Sequence, residues 1–347
     1  MDRVSSPGSL FQSRVLVLDG AVGTELERRG VPTPRPLWSA AALLTHPQVV
    51  EQIHRDYVEA GAEIIVANTF RTNVRTLRAG VLERGAELNR LALELARKVA
   101  QRHEGTQARR HEGGGQSSAL PVLVAASVAP VEDCYSPQLV PDEAMLDDEH
   151  AQMMAWLKAA GPDLVWIETM NTVREARAAA RAAANAGLPC CISFVTRENG
   201  DLLSGEPLEA AVAAVEPFGP IALGLNCIPP DGMTRNLPRL RSATQSVGGA
   251  HGAETVGDAH PTRLRSATRK AGSAHGTLLA AYAHINNPTP IRGWSFSQQV
   301  TPEEYAKYAR RWIELGASIV GGCCGTTPAH IAAVRATVDM RAVTRET

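Results

Sequence analysis

The segment GGCCGTTPAH (321–330) ends an apolar run, Ala317 to Val320, with two adjacent thiols, Cys323 and Cys324. A third thiol, Cys227, closes the segment GLNC (224–227). Neighbouring cysteines reach disulfide geometry only with strain, which leaves redox chemistry, metal binding or simple packing. Three thiolates satisfy three corners of a tetrahedral zinc ion and leave the fourth open, as catalytic zinc sites do. Soft sulfur ligands suit zinc, whereas iron–sulfur clusters are usually held by four cysteines. The competing reading is that all three are packed core residues, since free cysteine is among the most buried residue types. Residue types and spacing leave both open. Two acids, Asp19 after VLVL and Glu168 after LVWI, likewise follow apolar runs. Together they make an anionic patch suited to an ammonium or sulfonium group, and the alternative is a structural pairing with arginine.

These residues share one kind of position. Eight short apolar runs recur along the chain, at Val15–Leu18, Glu63–Ala67, Pro121–Ala126, Leu164–Ile167, Cys191–Phe194, Ile221–Leu225, Leu278–Ala283 and Ser318–Val320. Most are nearly continuous in apolar residues, as strands covered on both faces must be. Between them lie helical patterns, at Pro47–Ala60, Arg78–Gln101, Asp142–Ala160, Thr172–Asn185, Pro207–Val215, Pro302–Leu315 and Pro328–Val338. Thr301-Pro302 and Thr327-Pro328 read as caps followed by first-turn prolines. Eight strands alternating with helices predict an α/β fold, a (β/α)₈ TIM barrel over 14–340. No GxGxxG follows the first strand, which argues against a doubly wound sheet. In such a barrel the strand ends Asp19-Gly20, Asn68-Thr69, Ser127, Glu168-Thr169, Ser193, Asn226-Cys227, His284/Asn286 and Cys323-Cys324 gather at one mouth. Cys190 and Cys191 fall at the opposite end and read as core. Cys134 lies in the loop after the third strand, without an assigned role.

Two segments are read as flexible insertions outside this pattern. Residues 102–118 are polar and glycine-rich. Residues 231–277 hold a duplicated sequence, RLRSATQSVGGAHG at 239–252 and RLRSATRKAGSAHG at 263–276, with seven basic and three acidic residues. Two copies poor in large apolar residues cannot bury a core, so a solvated loop is expected, with His251 and His275 exposed rather than ligating.

The 347 residues carry a formal net charge of −1, with 44 % hydrophobic and 20 % charged residues. That balance gives no reason to expect nucleic acid or an anionic membrane as a partner. Six cysteines in a chain this long do not form a disulfide scaffold. No run approaches the roughly 18 apolar residues of a membrane helix, and the polar opening MDRVSSPGSLFQSR lacks a signal region. The expectation is a cytoplasmic protein.

The segments LDGAVGTELERRG (18–30), PLWSAAALLTHP (36–47), DYVEAGAEIIVANTF (56–70), DLVWIETM (163–170), LLSGEPLEAAV (202–212), GLNC (224–227) and GGCCGTTPAHI (321–331) resemble, in order, the homocysteine S-methyltransferase family. The resemblance implies a single barrel with one catalytic zinc, held by Cys227, Cys323 and Cys324. It implies that Asp19 and Glu168 bind the amino group of homocysteine. The turn at Gly20-Ala21 and the Thr69 hydroxyl would hold its carboxylate, and Asn226 would orient the site. The implied reaction moves a methyl group to the homocysteine thiolate and gives methionine. PLWSA resembles the short members whose donor is S-methylmethionine or S-adenosylmethionine. The text departs from those members at TFRTN (69–73), at Ser127-Val128-Ala129-Pro130 and at Tyr282-Ala283-His284-Ile285-Asn286. Two alternatives follow: a methyl-corrinoid partner protein as donor, docked by the basic insertion, or a non-catalytic zinc- or thiol-binding barrel.

Overall fold

The computed structural model describes residues 14–78, 80–110, 121–250, 277–285 and 300–346. Eight parallel strands form one sheet: β1 (Leu16–Val17), β2 (Ile64–Ala67), β3 (Leu123–Val128), β4 (Leu164–Met170), β5 (Cys190–Phe194), β6 (Ala222–Asn226), β7 (Leu278–Ala283) and β8 (Ile319–Gly322). Each strand pairs with its successor from β2 to β8, and β1 pairs with β8. The ring closes where Leu18 bridges Ile64 and Asp19 N–H donates to the Ile64 carbonyl at 2.9 Å. This is the expected (β/α)₈ barrel.

One principal helix follows each strand: α1 (Pro47–Glu59), α2 (Gly85–Arg110), α3 (Glu143–Ala160), α4 (Val173–Ala186), α5 (Leu208–Val215), α6 (Pro230–Ala250), α7 (Pro302–Glu314) and α8 (Pro328–Glu346). Local chemistry sets their ends. Asp142 and Thr172 cap α3 and α4 through side-chain oxygens, and Gly161 and Gly187 stop them at φ +71° and +69°. Thr301 and Glu304 form a reciprocal capping box at α7. At α8 the Thr327 N–H instead donates to the ring nitrogen Nδ1 of His330, at 3.2 Å.

Two apolar layers separate by strand parity. Alternate residues such as Val17, Ile65, Ala67, Val165 and Ile167 pack outward against the helices. Their neighbours, among them Leu16, Leu18, Ile64, Leu164, Trp166 and Tyr282, fill the barrel interior, together with Cys191, Cys227 and Cys323. Cys190 sits in the outer layer, so both cysteines of that pair are core residues.

The first parts of both segments expected to be flexible insertions are helical instead. Residues 102–110 continue α2, and 231–250 belong to α6. Met233, Leu237, Leu240 and Ala243 are buried at helical spacing along α6, so a thin stripe of apolar residues suffices to dock it. Arg239, in the first repeat copy, bonds Asp201 and Glu209 from this helix. Residues 111–118 and 251–276, with His251, His275 and the second copy, lie outside the described residues, as does Asn286. Among the described residues no helix is long and apolar enough to cross a membrane.

Candidate active site at the mouth of the barrel

A cavity of about 1520 Å³ opens at the carboxyl ends of the strands. Asp19, Gly20, Ala21, Glu168, Cys227, Cys323 and Cys324 all line it. The adjacent thiols share it because a tight turn follows β8. Thr326 N–H donates to the Cys323 carbonyl at 3.0 Å, and Gly325 takes φ +84°. Thr326 Oγ1 donates to the same carbonyl at 2.7 Å. Gly322 is required here, because a Cβ would lie 2.2 Å from Thr326 Oγ1. Directly after β6, Cys227 takes φ +50°, a conformation rare outside glycine, and its sulfur meets that of Cys323 beyond β8.

The three sulfurs lie within 4.8 Å of one another. Cys227 and Cys324 are separated by 3.9 Å between sulfurs, close to the roughly 3.8 Å edge of a tetrahedron with Zn–S distances near 2.3 Å. The sulfurs of Cys227 and Cys323 are in direct contact, with Cα atoms 5.8 Å apart. Oxidation of that pair and metal binding are therefore alternative uses of the same thiols. Burial pushes the Cys324 thiol up to about 12. A divalent cation between the three sulfurs reverses that preference, because it stabilises thiolate directly. The donor set fits such an ion.

The acids sit close by. Asp19 is buried, and its Oδ2 accepts the Val66 N–H at 2.8 Å. Burial holds its carboxyl well above the usual range, and the charge of Glu168 adds to this. Glu168 is pushed up to about 7, chiefly by burial, against hydrogen bonds from Ser127 and Tyr282. Both groups are carboxylates short of positive charge, the condition an incoming ammonium relieves.

Two expected contacts are redirected. Thr69 is fully buried, and its hydroxyl donates to the Ser127 carbonyl at 2.8 Å. Parity explains this: Ile64, Val66 and Asn68 share the inward face, while Ile65, Ala67 and Thr69 point away. Asn68 and Phe70 line the cavity instead. Asn226 is also fully buried. Its Oδ1 accepts the Thr169 N–H at 2.9 Å, and its Nδ2 donates to Thr169 Oγ1 at 2.8 Å. Thr169 has φ +62° and lies where β4 slips register against β5, between Ile167 and Met170. Asn226 thus clamps the backbone beside Glu168 to the strand bearing Cys227, and its carboxamide is spent on that clamp.

Tyr282, on β7, lines the cavity and was missed as a site residue. Its alternation with Ala280 was the available sign, since it places the phenol inside the barrel. Cys134 also lines the cavity, with its thiol pushed up to about 12 by burial. His284 is buried, which pushes it down to about 4.

The family model described as homocysteine S-methyltransferase matches residues 16–338. The chain belongs to the homocysteine S-methyltransferase family. Among other members, a selenocysteine methyltransferase of Astragalus bisulcatus is 28 % identical over 338 residues, covering 91 % of this chain and 90 % of that protein. A methionine synthase of Mycobacterium tuberculosis is 30 % identical over 345 residues, covering 95 % of this chain but 25 % of that one. The crystal structure of the Escherichia coli homocysteine methyltransferase MmuM, in metallated form, superposes with a TM-score of 0.72 at 27 % identity, covering 95 % of this chain and 98 % of that one. The family assignment makes this protein a methyltransferase of the homocysteine type.

Proposed function

We propose that this protein transfers a methyl group from a sulfonium donor, S-methylmethionine or S-adenosylmethionine, to the sulfur of homocysteine, giving methionine. The observation that carries the reading is one cavity holding three convergent thiols beside two carboxyls, the buried Asp19 and the half-buried Glu168. Cys227, Cys323 and Cys324 would hold a zinc ion, which when bound favours the acceptor sulfur as thiolate. Free alkyl thiols, with a pKa near 8.5, are only a few per cent ionised at neutral pH.

The chain's own residues then position the acceptor. Asp19 and Glu168 bind its ammonium, and the Gly20-Ala21 turn takes its carboxylate. Gly20 is packed so closely that a Cβ would lie 2.7 Å from the Tyr57 ring, which keeps this turn against the barrel. The homocysteine sulfur attacks the donor methyl in line. A new sulfur–carbon bond forms, the donor's sulfur–methyl bond breaks, and the donor sulfur keeps the electron pair as a neutral thioether. Such a displacement depends mainly on positioning.

A second reading keeps the acceptor site but takes the methyl group from a corrinoid carried by a separate protein. A donor panel with homocysteine, with methionine as readout, separates the two. Turnover by the purified protein with S-methylmethionine or S-adenosylmethionine supports the first reading. No turnover with any sulfonium donor, in a protein carrying zinc, refutes it.

A further inference from the structure

The interior of the barrel beneath Glu168 is polar where a (β/α)₈ core is usually filled by branched apolar side chains. Tyr282 reaches across from β7 toward β4 and β5. Its hydroxyl accepts the Trp166 Nε1–H at 2.7 Å, touches Ser193 Oγ and lies 3.3 Å from Glu168 Oε2. The Trp166 and Tyr282 rings meet edge to face at 5.9 Å, which fixes the phenol. On the other side, Ser127 Oγ donates to Glu168 Oε1 at 2.5 Å.

Proton counting sets the direction of this network. A phenol has one proton. The indole N–H has no alternative role but to donate, so it occupies one lone pair of the Tyr282 oxygen. An ionised Glu168 can only accept, so the phenol proton goes to it. The Ser193 hydroxyl must then donate to Tyr282. Each carboxylate oxygen of Glu168 thereby receives one hydroxyl donor from the barrel side, Ser127 on one and Tyr282 on the other. Glu168 itself lines the cavity. Two fixed donors set the plane of the carboxylate, which a single contact would leave free to rotate.

We propose that Tyr282 is a positioning residue for the acceptor: with Ser193 and Trp166 behind it, it holds the Glu168 carboxylate charged and oriented toward the homocysteine ammonium. This rests on the acceptor site proposed above. The role is in binding, felt equally in ground and transition states, so it acts on KM rather than on kcat.

The test is Tyr282→Phe in the full-length, zinc-loaded protein, alone and combined with Glu168→Gln. The ring remains, so the cavity floor is kept. Loss of a long hydrogen bond to a charged group predicts a rise of about tenfold in KM for homocysteine. Saturated kcat should change by less than about twofold, and zinc content should be unchanged. In the Glu168→Gln background the same substitution should have almost no effect, because coupled residues are not additive. Ser193→Ala, which leaves the tyrosine but removes its orienting donor, should raise KM about threefold with the same dependence on Glu168. It serves if Tyr282→Phe does not fold. If Glu168→Gln raises KM and Tyr282→Phe does not, this inference fails and the acceptor site stands. An equal penalty in both backgrounds overturns action through Glu168. If neither substitution moves KM, both readings fall.

Discussion

Acidification should weaken the capture of homocysteine through Glu168, and the size of the effect follows from its surroundings. Burial raises this carboxyl to about 7 from the ordinary 4.5, even though Ser127 and Tyr282 donate hydrogen bonds to it. The sign is that of a carboxyl disfavoured as an anion: charge is present above the raised value and lost as pH falls through it. Such a group is about 90 % ionised near pH 8 and about 10 % near pH 6. The groups around it do not supply compensating charge. Asp19 is itself held well above its usual range by burial, and Tyr282 stays a neutral phenol because burial raises it further. Coupling between Asp19 and Glu168 makes the acidic limb a property of the pair.

The assay is kcat/KM for homocysteine, which reports the free enzyme, measured from pH 6 to 8 for the unaltered protein and for Glu168→Gln. Ionisation of the substrate thiol affects both proteins alike, so their ratio isolates the carboxylate. A hydrogen bond to a charged group is worth about 1.5–3 kcal/mol, which sets the ratio near pH 8 at tenfold or more. By pH 6 the ratio should have fallen by about a factor of ten. A ratio that stays constant across this range would refute both the raised value and the assignment of Glu168 to the ammonium.

Three further outcomes are expected. Cys323→Ala removes one of three sulfurs and should abolish both bound zinc, measured by elemental analysis after reduction, and methionine formation; full activity without zinc would end the metal reading. Asn226→Ala strips both partners from Thr169, leaving a buried N–H unpaired beside a left-handed residue, and should lower stability by about 3 kcal/mol in denaturant unfolding; an unchanged midpoint would show that the clamp bears no load. His54 is fully buried on α1, with neither ring nitrogen hydrogen-bonded, and burial lowers it to about 4 from 6.5. The unfolded chain therefore binds its proton first, so about 3 kcal/mol present above pH 6.5 should drain away as pH falls toward 4. His54→Leu should flatten this part of the stability profile, and an identical slope in the variant would count against it.

The barrel was legible because each strand is buried on both faces and therefore carries a continuous apolar run. Strand ends shifted by one to three residues where glycine or a polar residue extends the pairing, as Gly321-Gly322 does on β8 and Glu168-Thr169 on β4. The long Arg78–Gln101 pattern resolves differently. A turn at Gly80 and a short 3₁₀ segment at Leu82–Arg84 precede α2, which starts only at Gly85. The three thiols and two acids were legible as strand ends. Their neighbours required parity and reach. Thr69 follows an inward residue, Asn68, and one step along a strand exchanges its faces. The destination of the Asn226 carboxamide depends on a register slip in β4, which leaves no mark in composition. Tyr282 reads as one more apolar residue of β7 until the sheet curves round and brings Trp166 and Ser193 within reach.

On the proposed reaction, the electrostatics of the inner cavity favour substrates that present a positive charge to Asp19 and Glu168. Arginines line the cavity as well. Of these, Arg75 has its charge paired with the carboxylates of Glu132 and Glu149, whereas Arg71 bonds the backbone carbonyl of Glu132 and Arg197 that of Leu203. Among the inner residues, Asp19, Glu168 and the Cys324 thiol are shifted toward their neutral forms by burial. Every one of those shifts is relieved by a positive charge and worsened by a negative one. An amino acid therefore gains by directing its ammonium toward Asp19 and Glu168. The proposed sulfonium donor gains by presenting its positive charge to the same group of carboxyls and thiols. After transfer the positive charge on the donor is gone, and both products carry neutral thioether sulfur. The attraction that drew the reacting sulfurs together disappears with the reaction, while the ammonium contact persists. Release of methionine should accordingly be governed by Glu168, and substitutions that weaken that carboxylate should speed product exit even as they slow acceptor capture.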